Sequence, residues 1–530
     1  MADTSRSDKQ LKRAAALLSP LEHPIDAWYN LERSGRATWI LLALFVLAWT
    51  TFQVLAFASI DLHPDLTEIY AWSRHPSAGY YKHPPLPALV AAVWFAVFPV
   101  ADWSIHLLAI VTSALALFVV DLIARRYLSG DKRLLALLLL LLTPFYQFHG
   151  QRFNNNQVLL WAWPLATYCF LRAFETRAIV WAAATGAATA LAMLGKYYSI
   201  YLVAALVVAA LAHPARWTYL RSPSPWISAI VGIVTLAPHL HWLVTTGAEP
   251  FKYAYAVHGE ASLMLLVAGS AIYVLGAVGY VALPIAIYLL AVRPDRRTLA
   301  DALWPADPDR RMLVVLLAVM ILLPALSAPF LGLLVTSLWT MEAWFLLPII
   351  LLAPTTVVLL RRNAVRVAFF VLVLTAVMLV VAPLIAWTRH TRDDQQGRSF
   401  YRLVSDEIMR EWRRHTDRPL TIVMGDLNIV PAVSFYSTDH PDSVPDFVLR
   451  VVPWVTAERL KREGWAMVCR QDDVLCVSEA VRRSSVEPRA GRSDIEVARR
   501  YLGKFGKSER FMLIIVPPNL SRSSMRAKAT

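Results

Sequence analysis

Charge is scarce in this chain of 530 residues: 17% are Asp, Glu, Lys or Arg, against 57% hydrophobic, more apolar matter than a soluble core needs. It has no glycine-rich dinucleotide loop and no P-loop, so the usual sequence signs of a bound nucleotide are missing. There are only three cysteines. Cys169 lies in an apolar run and reads as a packed small residue. Cys469 and Cys476 flank Arg470-Gln-Asp-Asp-Val-Leu475, a segment that fits a hairpin turn. An extracytoplasmic tail allows them to bridge, and two reduced buried cysteines are the alternative. Neither has the close histidine cluster a metal site needs. No internal repeat is visible, and no cleavable signal peptide is expected, because about 36 mixed polar residues precede the first apolar run.

What the chain has in quantity is long apolar stretches. With about 20 residues per crossing, helices are expected near 37–60, 104–124, 134–150, 157–174, 179–195, 197–212, 226–245, 262–291, 312–329, 343–360 and 364–387. The net charge of +14 raises the question of nucleic acid, but the basic residues sit in connecting loops. Ala124-Arg-Arg-Tyr-Leu-Ser-Gly-Asp-Lys-Arg133, Arg293-Pro-Asp-Arg-Arg297 and Arg361-Arg362 carry the charge pattern of cytoplasmic flanks, so membrane topology explains the charge without nucleic acid. The run Leu86–Pro99 is short and follows Pro84-Pro85, which predicts a helix lying at the interface or partly inserted. Eleven crossings then place the N-terminal segment 1–36 and every strongly basic loop in the cytoplasm. The first loop 61–103, the Lys196 turn, 246–261, 330–342 and the tail fall on the other side.

The tail, 388–530, patterns as a small α/β domain. A polar helix with apolar spacing fits Tyr401–His415 and a strand fits Leu420–Met424. Further strands are expected at Asp446–Val452, Trp465–Cys469, Val474–Val477 and Phe511–Val516, with a helix at Pro453–Glu463. The segment Arg483–Ser493 reads as polar and mobile, and Leu520–Thr530 as a frayed basic end.

The first loop concentrates acidic, aromatic and histidine residues. Asp65 and Glu68 are three apart and share a face if a helix starts after Pro64, a spacing that suits a base or a cation ligand; the simpler role for Asp65 is to cap that helix. Tyr80 and Tyr81 suit substrate contact or interfacial anchoring, and Lys82 and His83 stand where an anionic headgroup would lie. Asn154 and Asn155, at the mouth of a span, can read a polyol by hydrogen bonding. Lys196, beside Tyr197, is a cation on the side where the positive-inside bias disfavours one, which makes a phosphate partner plausible. His258 and Glu342 are candidates to line the same cavity.

The run Asp65-Leu-Thr-Glu-Ile-Tyr-Ala-Trp-Ser-Arg-His75 and the following Gly79-Tyr-Tyr-Lys-His-Pro-Pro-Leu86 resemble the first extracytoplasmic loop of bacterial glycosyltransferase family 39, the protein-mannosyltransferase-like group. That family shares the GT-C fold with the lipid A aminoarabinose transferases. The likeness continues through Phe153-Asn-Asn-Asn-Gln-Val-Leu-Leu-Trp-Ala-Trp163, Leu171-Arg172 and Leu194-Gly-Lys-Tyr197, across most of 30–387. It implies a polytopic all-α GT-C domain over 37–387 that carries a small extracytoplasmic α/β domain. It also implies inverting transfer of a sugar from a polyprenyl-phosphate donor to a cell-envelope glycan or glycolipid. Asp65 falls at the family's catalytic loop aspartate, with Glu68 nearby, while Lys82, His83 and Lys196 fall on the donor-phosphate side. The chain departs from the pattern at Leu66, where the family commonly has glutamate, and at Asn154, where it often has aspartate.

No cofactor is marked by the sequence: Asp65 and Glu68 could hold a divalent cation, without a complete ligand set around them. The expected partners are membrane lipid, the lipid-linked donor and the acceptor glycan, with the chain a monomer in the bacterial inner membrane. A transporter or flippase of polyprenyl-linked sugar and a non-catalytic lipid or glycan sensor are the competing classes. A transporter prefers polar groups at span midpoints and inverted halves, whereas here they cluster at span ends.

Overall fold

The computed structural model describes residues 36–392 and 398–519. The predicted segment before Arg36 and the basic end Leu520–Thr530 lie outside the described residues.

The chain opens with α1 (Arg36–Ala56), then two short helices, α2 (Pro64–Ser73) and α3 (Leu86–Phe95), and the long α4 (Asp102–Tyr127). α5 (Gly130–Leu140) is followed by a wide helical turn at Phe145–His149, and then come α6 (Asn155–Thr176), α7 (Ile179–Gly195) and α8 (Ile200–Ala212). Next are α9 (Ser224–Thr245), α10 (Glu249–His258), α11 (Leu263–Val292), α12 (Pro308–Leu331), the short α13 (Leu347–Leu352) and α14 (Arg361–Thr391). Among the described residues, α1, α4, α9, α11, α12 and α14 are long and apolar enough to cross a membrane. At the positions predicted as spans 134–150, 157–174, 179–195, 197–212 and 343–360 the chain forms α5, α6, α7, α8 and α13. These are shorter or less apolar, so length and composition alone do not reach the expected eleven. In α13 the cause is local: Pro348 sits in the first turn of this six-residue helix and Pro354 follows two residues after its end. The run 86–99 holds the ten-residue α3, which reaches about 15 Å, half a hydrocarbon core.

Polar clamps tie the bundle together. Fully buried Asp121 of α4 accepts from Thr38 of α1 at 2.9 Å and pairs with Arg125 and Arg133, joining three helices at one end. At the other end, buried Trp163 of α6 donates to Ser199 Oγ at 2.9 Å, which fixes the break between α7 and α8 where Lys196 sits. α7 and α9 approach so closely at Gly186 that an added Cβ would lie 2.3 Å from the carbonyl of Ser228, so only glycine fits there.

The tail is an α/β unit with α15 (Tyr401–His415), β1 (Ile422–Gly425), α16 (Ile429–Tyr436), β2 (Asp442–Pro445), α17 (Ala457–Glu463), β3 (Trp465–Arg470), α18 (Val474–Ser484), β4 (Gly491–Tyr501) and β5 (Lys504–Val516). The strand order is β2-β1-β3-β5-β4, with β1 parallel to β2 and β3 and with β5 antiparallel to β3 and β4. In β3 the side chains alternate: Ala466 and Val468 face α15 and α16, while Met467 and Cys469 face α18.

Two expected strands are corrected. Val474–Val477 is the start of helix α18, because the Asp473 side chain accepts from the backbone of Cys476 and caps it. Asp446–Val452 is not a strand: Asp446 and Phe447 have φ of 49° and 60°, which turns the chain out of the sheet just after β2, and Leu449–Val451 forms a 3₁₀ turn. The segment read as mobile, 483–493, closes α18 and opens β4. Cys469 and Cys476 are joined by a disulfide, 5.6 Å between Cα atoms, linking β3 to the first turn of α18.

The tail docks on the first loop. Phe435 of α16 packs edge-on against Tyr70 of α2 and belongs to the bundle core, and Tyr436 Oη accepts from the Leu62 backbone at 2.8 Å. Buried Asp61 is met by the Arg402 backbone and the Arg499 guanidinium. Buried Asp442 of β2 pairs with His75 at 2.6 Å, Arg459 at 2.8 Å and Arg74 at 3.4 Å. The helix carrying Asp65 and Glu68 is therefore held between the bundle and the tail.

Candidate active site

A cavity of about 320 Å³ opens between α2, the Pro84-Pro85 segment, the start of α6, the Lys196 turn, α10 and the 336–339 turn. Asp65 and Glu68 form one wall, Lys82 and His83 another, Asn154, Asn155 and Asn156 a third, and Lys196, His258 and Trp339 close it.

Pro64 opens α2, and its cap is His63, whose ring accepts from the Asp65 backbone at 3.2 Å. Asp65 is thus not the cap, and its side chain, 43% exposed, is free to face the cavity. Burial works against its charge, but His63, the Asn154 amide donating at 3.0 Å and nearby Arg152 outweigh that effect and hold the carboxyl well below the usual range. Asp65 is ionised at neutral pH.

Glu68, one turn on, pairs with Lys82 at 2.7 Å and accepts from Tyr81 Oη at 3.2 Å. Burial pushes its carboxyl up while Lys82 pulls it down. Burial likewise opposes the Lys82 charge, and the carboxylate of Glu68 wins, so the ammonium stays above its ordinary value. His83 differs. Burial and the cations Lys196 and Lys82 push it down to about 3, so at neutral pH it offers a hydrogen bond and no charge.

Asn154 caps α6 by accepting from the backbones of Asn156 and Gln157. Asn155 donates to the Gly195 carbonyl at 2.7 Å, and Asn156 Oδ1 accepts from Lys196 Nζ at 2.7 Å. The three asparagines thus have three tasks: orienting the carboxylate, tying two helices and holding the lysine. Lys196 also lies 3.9 Å from the centre of the Trp339 ring. Burial lowers it to about 8, opposed by the carboxylate of Glu342. Glu342 is buried behind the cavity with neither side-chain oxygen hydrogen-bonded, and burial raises it to about 8.

Some sequence candidates lie elsewhere. Tyr80 is buried, stacked on Trp72, and donates to the Trp72 and His75 carbonyls, so it shapes the loop rather than meeting a ligand. Tyr197 stacks on Phe251 and His239 and bonds the His239 ring at 3.0 Å, outside the cavity lining. His258 does line it, edge-on to Trp339. Trp72 and Thr336 are lining residues that the sequence did not single out. Asn156 also lines the cavity, and nothing in the sequence signals its bond to a lysine forty residues on. Among the described residues, no three His, Cys, Asp or Glu side chains converge as a metal set.

The chain is thus an apolar helical bundle capped by an α/β unit, with a carboxylate and lysines around a cavity formed by the bundle and its loops. Residues 82–242 match the family described as dolichyl-phosphate-mannose-protein mannosyltransferase, a stretch that includes Lys82, Asn154 and Lys196 but begins after Asp65. It is narrower than the likeness read over 30–387. The lipopolysaccharide core galacturonosyltransferase RgtB of Rhizobium johnstonii is 26% identical over 442 residues, covering 78% of this chain and 85% of that protein. Among solved structures, ArnT from Cupriavidus metallidurans covers 92% of this chain and 100% of its own. Its TM-score is 0.57 at 15% identity when bound to undecaprenyl phosphate, and 0.60 at 14% identity in the apo state. The chain therefore shares the fold of ArnT, carries a segment that matches this family, and among its described residues has six helices long and apolar enough to cross a membrane.

Proposed function

We propose that the chain is an inverting transferase that moves one sugar from a polyprenyl-phosphate donor to a cell-envelope glycan or glycolipid, at the extracytoplasmic face. In this reading the shorter helices complete about eleven crossings over 37–387, the tail is extracytoplasmic, and the enzyme acts as a monomer. The observation that carries it is the shared cavity: ionised Asp65 on one wall, with Lys82 and Lys196 on others. Breaking the anomeric carbon to phosphate bond leaves a cationic sugar on one side and an anionic lipid phosphate on the other, so the site needs both signs.

Asp65 accepts the acceptor hydroxyl's proton as the new carbon–oxygen bond forms. A carboxylate held this acidic is a weak base, so the proton moves late, once the attacking oxygen has become positive. Lys82 and Lys196 take the phosphate, His83 and the asparagines orient the sugar, and Glu68 keeps Lys82 charged. The relative's name favours an acidic sugar, and two lysines in one cavity suit a donor carrying both a phosphate and a sugar carboxylate. An undecaprenyl phosphate-bound relative of the same fold is consistent with a lipid-phosphate donor.

The test is product formation. Purified protein, a polyprenyl-phosphate uronic acid and lipopolysaccharide core acceptor are combined and the acceptor mass is followed, with Asp65→Asn alongside. Transfer by the wild type and its loss in a folded D65N protein supports the reading. No transfer to any envelope glycan, with the donor nevertheless bound, would make the protein a lipid-linked-sugar sensor.

A further inference from the structure

The β4–β5 ribbon is longer than the sheet it belongs to. β5 pairs with β3 only over Phe511–Val516, whereas its pairing with β4 continues to Tyr501↔Lys504. Residues 504–510 therefore project from the sheet as a two-stranded arm, closed by Leu502-Gly503.

The arm is seated on the end of α14. His390, buried on that helix, hydrogen-bonds the Lys504 carbonyl through Nε2 at 3.0 Å. Gly506 comes so near that a Cβ there would lie 3.2 Å from the His390 ring. Lys504 Nζ lies 5.0 Å from the centre of the Trp387 ring. Trp387 is four residues before the helix end, about 6 Å down its axis. The tip thus lies beside the last turn of a long apolar helix rather than above it.

Its composition is wrong for a turn in water. Leu502 and Phe505 are 72% and 70% exposed, where a hairpin tip ordinarily carries polar residues. Arg392, Arg500, Lys504 and Lys507 surround them, and a polar cavity of about 390 Å³ between helix end and arm is lined by Arg392, Lys504 and Lys507. Among the described residues, the carboxylate of Glu509 is shared between Arg470 and Lys507 at 3.2 Å each. Exposed apolar groups inside a basic rim are what a bilayer interface with anionic headgroups accommodates.

We propose that the tip of this ribbon is a membrane anchor: Leu502 and Phe505 enter the interface, and Arg392 with Lys504 holds the phosphate of an anionic lipid headgroup in the leaflet on the tail's side. The inference rests on α14 crossing the membrane and not on the transfer chemistry. It gives the tail a contact with the bilayer besides its seat on the first loop.

The test uses the full chain in lipid nanodiscs with a spin label at Leu502→Cys. Cys169 is buried and Cys469 and Cys476 are bonded, so labelling is directed to the introduced thiol. Val486→Cys, 76% exposed and just before the far end of β4, is the aqueous control. The expected result is an oxygen-accessible label at 502, shielded from a water-soluble relaxant several-fold more than the label at 486. Adding phosphatidylglycerol to phosphatidylcholine discs should deepen the 502 label, and Arg392→Ala with Lys504→Ala should remove that dependence. Unlabelled wild type should retain phosphatidylglycerol in native mass spectrometry several-fold better than the double variant. A 502 label as wet as the one at 486, indifference to phosphatidylglycerol, or inorganic phosphate alone reproducing the shift would each overturn the proposal. Loss of sugar transfer with the label still embedded would instead count against the transferase reading and leave the anchor standing.

Discussion

Asn154 donates its side-chain amide to Asp65 Oδ2 at 3.0 Å, and together with the larger effect of His63 this bond holds the loop carboxyl below its ordinary value. A hydrogen bond to the charged form lowers a pKa, and its removal raises it. Asn154→Ala is expected to move the acid limb of the pH–rate profile upward, because base catalysis needs Asp65 deprotonated. Asn154→Asp should move it further, since two carboxylates then share one site. At high pH both variants should recover more of their rate than at neutral pH. Profiles of kcat/KM for the three proteins check this, and an unmoved acid limb would remove Asp65 as the titrating base.

Lys82 and Glu68 form an ion pair with side chains only 11% and 15% exposed. Removing one member leaves the other buried and alone, at a cost of about 3–5 kcal/mol. Lys82→Met is therefore expected to lower both thermal stability and transfer, and adding Glu68→Gln should restore most of the stability. Transfer should stay lost in the double variant, because the phosphate then lacks its cation. Melting in detergent and single-turnover assays separate the two effects, and a double variant with wild-type transfer would exclude Lys82 from the phosphate site.

Lys196 and Glu342 both titrate near pH 8 because burial disfavours either charge. Lys196 loses its proton as pH rises through that value, so donor affinity should fall above about pH 8. The carboxylate of Glu342 supports the ammonium, and Glu342→Gln is expected to move the alkaline limb of 1/KM downward while leaving kcat at pH 6 within about twofold. KM for the lipid-linked donor across pH 6–9 in the two proteins is the measurement. An identical alkaline limb would uncouple the pair.

Much of this was legible from residue pattern. The spacing of Tyr401–His415 showed its helix, apolar runs showed the long spans, and Asp65 stood out as an acid after a proline in a loop rich in acidic, aromatic and histidine residues. What was not legible depended on contacts far apart in the chain or on backbone angles. Lys196 meets Trp339 across 143 residues, and no periodicity encodes that. Asp446 and Phe447 turn at positive φ without glycine, so a strand-like run at 446–452 became a turn. Val474–Val477 misled because four apolar residues fit a strand as well as a buried helix face, and the deciding signal was the cap at Asp473.

The last prediction concerns a residue outside the cavity. Asp442 of β2 accepts from His75 at 2.6 Å and from Arg459 at 2.8 Å, and His75 follows the helix bearing Asp65 and Glu68 by two residues. Burial disfavours its charge, but His75, Arg459 and Arg74 hold its carboxyl below the usual range. The stability it contributes is therefore present above the ordinary carboxyl value, near pH 4, and is lost as pH falls through the lower folded value. Asp442→Ala leaves Arg459 and His75 without their shared partner and should cost about 3 kcal/mol. Because α2 is then held from one side only, hydrogen exchange over 64–75 should quicken and kcat should fall several-fold with donor KM nearly unchanged. Unchanged exchange in that helix, with kcat intact, would show that the tail does not brace the catalytic loop.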